Sequence, residues 1–134
     1  MARKTMEVTI TAEGRDHGKV FLLQEMSAEE VEDWSIRAML ALIRGGFQIP
    51  DETVSQGLAG LKSINFLDAL SSCAKGLQYD EIKPLLDKML TCVMVLPDQA
   101  RPEVKRRLRP EDIEEVSTRV RLRKEVVALH TDFF

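Results

Sequence analysis

Apolar and polar residues alternate from the start of the chain. Met6, Val8 and Ile10 are interleaved with Glu7, Thr9 and Thr11, the period-two pattern of a strand with one buried face. The turn-forming run Glu13-Gly14-Arg15-Asp16-His17-Gly18 separates this segment from Val20-Phe21-Leu22-Leu23. Residues 1–26 therefore predict a β-hairpin, and because an isolated hairpin is marginal in water its apolar face must rest on helices. At Ser27 the pattern changes to a helical period. Ser27-Ala28-Glu29-Glu30 is a capping box, in which the serine oxygen accepts the Glu30 amide while the Glu30 side chain reaches back. Val31, Trp34, Ala38, Ala41 and Leu42 share one face of the helix that follows, and Ile36, Met39, Leu40 and Ile43 cover much of the rest. A helix apolar nearly all round is expected at the centre of its domain, and Gly45-Gly46 is expected to end it.

The next segments are less regular. Pro50-Asp51 can start a short helix that Gly57 and Gly60 weaken. Asn65 is placed to cap a helix over about 66–75, with Gly76 as its stop. Asp80 opens another in which Ile82, Leu85, Leu86, Met89, Leu90 and Val93 recur at helical spacing, with Pro84 tolerated in the first turn. Val93-Met94-Val95-Leu96 before Pro97 fits a short strand, and Lys105-Arg106-Arg107-Leu108-Arg109 can return as a second. Pro110-Glu111-Asp112 then predicts a final helix of about 20 residues. The expected architecture is one domain, mainly α with a small β component: a hairpin over 1–26, a helical core over 27–96, a loop and basic segment over 97–110, and a long C-terminal helix over 111–134, about four helices in all.

That last helix carries two apolar faces. Ile113, Val116, Val120 and Val127 cluster on one side, and Leu122, Val126, Leu129 and Phe133 on nearly the opposite side, with Phe134 closing the chain. A single packing partner can cover one of them, so the other needs a further element, a second copy or a different protein. Leu122, Val126, Leu129, Phe133 and Phe134 are the candidate protein-binding residues.

Composition narrows the class. The chain has 134 residues, 44% of them hydrophobic and 31% charged, a globular balance for one domain. No apolar run approaches the roughly 20 residues that cross a bilayer, and the N-terminus lacks the apolar stretch of a signal peptide. Two cysteines without CxxC spacing imply a reducing cytosol and no disulfide framework. The net charge of −3 is unevenly placed. Residues 25–33 contain five acidic residues and no basic one, while residues 101–124 hold nine basic against five acidic residues. This polarity can pair two parts of one fold or let copies associate head to tail.

Little points to catalysis. His17 lies in a turn and His130 near the C-terminus, expected at a helix surface or an interface, and neither has metal-ligand spacing. GxSxG, P-loop and GxGxxG motifs are absent. Gly14 and Gly18 are better read as the backbone freedom of a hairpin than as a phosphate cradle, and Cys73 and Cys92 as core residues. No enzyme activity, metal or cofactor is expected. Lys105, Arg106, Arg107 and Arg109 form a basic cluster, a candidate electrostatic contact surface. Nucleic-acid binding through it is a weaker alternative, because no aromatic residues interleave and acidic residues follow immediately.

Three segments carry a likeness: Glu13 to Lys19 leading into Val20-Phe21-Leu22; Trp34-Ser35-Ile36-Arg37-Ala38-Met39-Leu40-Ala41-Leu42; and Ile113-Glu114-Glu115-Val116 through Arg121-Leu122-Arg123 to Leu129-His130-Thr131-Asp132-Phe133-Phe134. Together they resemble the tail assembly chaperones of long-tailed bacteriophages, in the short, non-frameshifted form. The resemblance implies a non-catalytic protein of the bacterial host cytoplasm, absent from the mature virion. Its partners would be the tape measure protein, kept soluble while tail-tube subunits polymerise, and the tail tube protein; self-association is a further expectation. A structural head–tail connector protein is the alternative reading, and a small nucleic-acid-binding regulator a lesser one.

Overall fold

The computed structural model describes residues 3–46, 76–98 and 100–130. The expected elements over residues 50–60 and 66–75, together with Cys73, Phe133 and Phe134, lie outside the described residues. The chain divides into two compact units, where the sequence pattern suggests one domain. One unit is a sheet with a helix, described over 3–25, 89–98 and 100–130. The other is helical, described over 26–46 and 76–88.

In the first unit β1 (Thr5–Thr9) pairs antiparallel with β2 (Val20–Gln24), which pairs with β3 (Val93–Leu96), which pairs with the two-residue β4 (Arg106–Arg107). The four form one sheet in the order β1-β2-β3-β4. This corrects the expectation of a mainly α protein with about four helices. The described residues hold three helices and a four-stranded antiparallel sheet, an α+β fold. In β2 Val20, Phe21 and Leu23 are all buried, so the strand carries apolar side chains on both faces, the pattern of an interior strand. The hairpin pairs one of its edges, the short apolar strand before Pro97 pairs the other, and the basic segment then closes the sheet. Charged Arg106 and Arg107 at the open edge discourage pairing with another chain.

The register places Val8, Phe21 and Val95 in one row across the sheet, with Met6, Leu23 and Val93 in the next row on the same face. All are buried except Met6, which is half-buried. With Ile10, Cys92 and the inward side of the last helix they form the core of this unit. A short 3₁₀ turn, Pro110–Asp112, precedes that helix, α3 (Val116–His130). The helix starts later than the Pro110 signal suggests. Ile113 is extended (φ −122°, ψ 116°) and interrupts the helical run.

In the second unit α1 (Ala28–Arg44) begins at Ser27 with both halves of the capping box formed. The Glu30 amide donates to Ser27 Oγ at 3.2 Å, and the Ser27 amide donates to Glu30 Oε1 at 3.1 Å. Gly46, with φ +93°, takes the left-handed conformation that ends the helix. Residues 79–88 of α2 (Tyr79–Leu90) complete the described part of this unit. Trp34 Nε1 donates to the Leu85 carbonyl at 3.0 Å, and Lys88 Nζ to Glu30 Oε2 at 2.6 Å. α1 is not sheathed on all sides as its composition suggests. Val31, Ser35, Ala38, Ala41 and Leu42 are buried, whereas Ile36, Leu40 and Ile43 are exposed.

Candidate functional site

The loop between β1 and β2 is more than a turn. Asp16, only 1% exposed, accepts the Glu114 amide at 2.9 Å, the Glu115 amide at 2.9 Å and Lys19 Nζ at 2.8 Å, and Thr118 donates to it as well. These amides immediately precede α3, where helical donors lack backbone partners and the helix dipole favours an anion. Burial alone would push the Asp16 carboxyl up. The donors from Lys19, Glu114, Thr118 and Glu115 overcome it and hold the group well below the usual carboxylate range.

The loop is fastened further. Arg15 Nε donates to Glu115 Oε1 at 2.8 Å and Arg15 Nη2 to the Glu114 carbonyl at 2.6 Å, while Lys19 also reaches the Asp112 carbonyl at 2.9 Å. Gly18, at φ +85°, lets the chain turn into β2. His17 is exposed, its Nδ1 3.1 Å from the Thr11 carbonyl. The Gly14–Lys19 segment therefore clamps the start of α3. With every donor around Asp16 committed inside the fold, it is no phosphate site.

The basic cluster is partly consumed in the same way. Arg106 makes a bidentate pair with Asp112, at 2.8 Å and 2.6 Å, which holds the Asp112 carboxyl below its ordinary value. Lys105, Arg107 and Arg109 remain exposed, although the Arg109 amide donates to Asp112 Oδ2 at 2.7 Å.

The candidate binding stripe on α3 requires correction. Leu122, Val126 and Leu129 are buried, so while the unit is folded they offer no surface to a partner. His130, expected at a helix surface or an interface, is buried too. Its Nδ1 lies 2.8 Å from the Val126 carbonyl. Loss of solvent pushes the ring down from its ordinary value, against the influence of that carbonyl and of Glu25.

The surplus apolar face is the opposite one. Val116 is 76% exposed, Val120 is also exposed, and Ile113 and Val127 are half-buried. Around Val116 and Val120 lies an open groove of about 450 Å³, lined also by Ser117, Arg121, Lys124 and Glu125. Its floor is aliphatic and its rim mainly basic, and Arg121 shares its charge with Glu125 at 3.8 Å. Nothing in it resembles a nucleophile and base held for chemistry. It suits an apolar helical segment, preferably one bearing carboxylates. The two-faced pattern signals this face, but the choice of which side faces outward depends on the Asp16 clamp.

Among the described residues no group of three His, Cys, Asp or Glu side chains is placed to hold a metal ion, and no helix is long and apolar enough to cross a membrane.

The ionisable groups set an acid limit. Lys88, followed by the Ser27 amide and hydroxyl, lowers the Glu30 carboxyl to about 2, and Arg15 lowers that of Glu115. A carboxylate with a depressed folded-state pKa contributes stability that is present above its unfolded value and lost as pH falls. For Glu30 that window runs from 4.5 down to about 2. A histidine kept neutral by burial acts in the same direction, starting below 6.5. The melting temperature should therefore decline gently below pH 6.5 and steeply below 4.5, with Glu30→Gln flattening the second stage. A thermal melt unchanged between neutral pH and about pH 3 contradicts this assignment.

Comparison with protein-family models, with curated proteins and with solved structures found no match.

Proposed function

We propose that this protein is a tail assembly chaperone of a long-tailed bacteriophage, which binds the tape measure protein through the α3 groove and keeps it soluble while tail-tube subunits polymerise. The single observation that carries the reading is the exposed aliphatic floor at Val116 and Val120. An exposed aliphatic strip on a helix offers a docking surface to the apolar side chains of a partner helix. The likeness of the Glu13–Lys19, Trp34–Leu42 and Ile113–Phe134 segments to that family supports the same reading.

The mechanism needs no reaction. A long helical client presents recurring aliphatic side chains, and fully burying each one contributes roughly 1.5–3 kcal/mol. Several modest contacts along one client hold it through avidity, yet each can be displaced locally as the tube advances. The basic rim at Arg121 and Lys124 adds preference for segments carrying carboxylates.

Co-expression with the tape measure protein is expected to keep that protein soluble and to yield a complex that survives moderate salt. Mass spectrometry of purified virions is expected to miss the chain. Its presence there in stoichiometric amount would support the connector alternative and overturn the chaperone reading.

A further inference from the structure

The aliphatic strip on α3 has a spacing and a charged border that narrow what can dock on it. Val120 follows Val116 by four residues, and Val127 follows Val120 by seven. These are the steps of a heptad seam, in which the side chains of two helices interlock. At about 3.6 residues per turn, Arg119 and Arg123 fall along one side of the strip and Arg121 and Lys124 along the other. Arg121 and Lys124 are exposed, Arg119 and Arg123 half-buried. Glu125 is the one acidic residue in α3, and it lies 3.8 Å from Arg121. Just ahead of the helix, Glu114 and Glu115 are held by Arg15. Arg119 and Lys124 make no ion pair among the described residues. The strip therefore runs between two basic rows, and it is these rows that discriminate among apolar helices.

We infer that the groove takes an α-helix whose apolar stripe follows a heptad repeat and carries carboxylates along both flanks, and that Arg119 and Lys124 are the residues that select it. A helix of the same apolar spacing with basic flanks sets like charges together on both sides and is rejected. Two acid-flanked helices also repel each other, so a segment of this chemistry does not mask its own stripe by self-pairing and stays available to the groove. The inference rests on the reading of the groove as a docking surface for a helix, and adds which helices it accepts.

The test is fluorescence anisotropy with two labelled synthetic helical peptides, titrated with the full chain. Both have leucine along a heptad stripe; one has glutamate on both flanks of it and the other lysine. The glutamate peptide is expected to bind about tenfold or more tightly than the lysine peptide, with the gap closing as salt is raised. Arg119→Glu and Lys124→Glu together are expected to reverse the preference. Arg119→Gln with Lys124→Gln should weaken the glutamate peptide by a smaller factor, and serves in place of the reversal if circular dichroism shows that the latter does not fold. Val116→Asp should abolish binding of the glutamate peptide, which separates the groove from the basic cluster at Lys105, Arg107 and Arg109.

Binding of neither peptide, equal affinity for both, a preference that survives the charge changes, or undiminished binding to Val116→Asp each overturns the proposal. The client reading fails separately. If the peptides are discriminated as expected but Val116→Asp captures tape measure protein normally, the selectivity stands and the groove is not the client site. If Val116→Asp loses the tape measure protein while the two peptides bind alike, the client reading stands and the selectivity does not.

Discussion

Replacing Asp16 with alanine is expected to lower the unfolding free energy by about 3–5 kcal/mol, the range for removing one partner from a buried charged network. The carboxylate is almost wholly shielded and accepts the Glu114 and Glu115 amides, the Lys19 ammonium and the Thr118 hydroxyl. Alanine leaves two amides at the start of α3 without their acceptor, each destabilising in its own right, and leaves the half-buried Lys19 ammonium with only the Asp112 carbonyl. It also removes the negative charge from the positive end of the helix. The substitution Asp16→Asn retains an acceptor but not the charge, so its loss should fall between wild type and alanine. Urea unfolding followed by circular dichroism measures both. A loss below about 1 kcal/mol, the scale of an ordinary exposed cap, would mean that the clamp does not hold α3.

The second large effect separates the two faces of α3. Val126→Asp is expected to unfold the sheet unit or to destabilise it by about 4 kcal/mol or more, because an unpaired charge takes the place of a side chain that is 1% exposed. Val116→Asp, on a side chain 76% exposed, should stay within about 0.5 kcal/mol of wild type, as surface changes usually do. Equal melting temperatures for the two variants would mean that Val126 does not face the core.

Local structure is legible where the signal is local. The Met6-Val8-Ile10 alternation, the apolar Val93–Leu96 run and the Ser27–Glu30 capping box form as strand, strand and helix start. What the pattern does not disclose is assembly. β3 pairs with the free edge of β2, whose side chains are buried on both faces, an interior-strand pattern present in Val20-Phe21-Leu22-Leu23 that by itself also fits a simple hairpin arm. The start of α3 departs from the sequence signal for a related reason. Its capping carboxylate, Asp16, comes from a distant loop, whereas capping rules read only adjacent residues. Pro110 and Asp112 instead serve a 3₁₀ turn and the Arg106 pair.

The candidate site is half legible. Two apolar faces on one helix are visible by spacing alone, but their aliphatic content is similar, so nothing in the spacing says which turns inward. The buried contact of Thr118 with Asp16 decides it. Thr118 lies one turn before Leu122, so anchoring it carries Leu122, Val126 and Leu129 into the core and leaves Val116 and Val120 outside.

The proposed client site, the Val116–Val120 groove, is tested most directly by capture of the tape measure protein by a chain carrying Val116→Asp and Val120→Asp together. The variant should keep the wild-type circular dichroism spectrum and melting temperature and lose the client to the insoluble fraction, while Leu40→Asp retains it. Undiminished client solubility with the doubly substituted, folded chain would contradict the assignment.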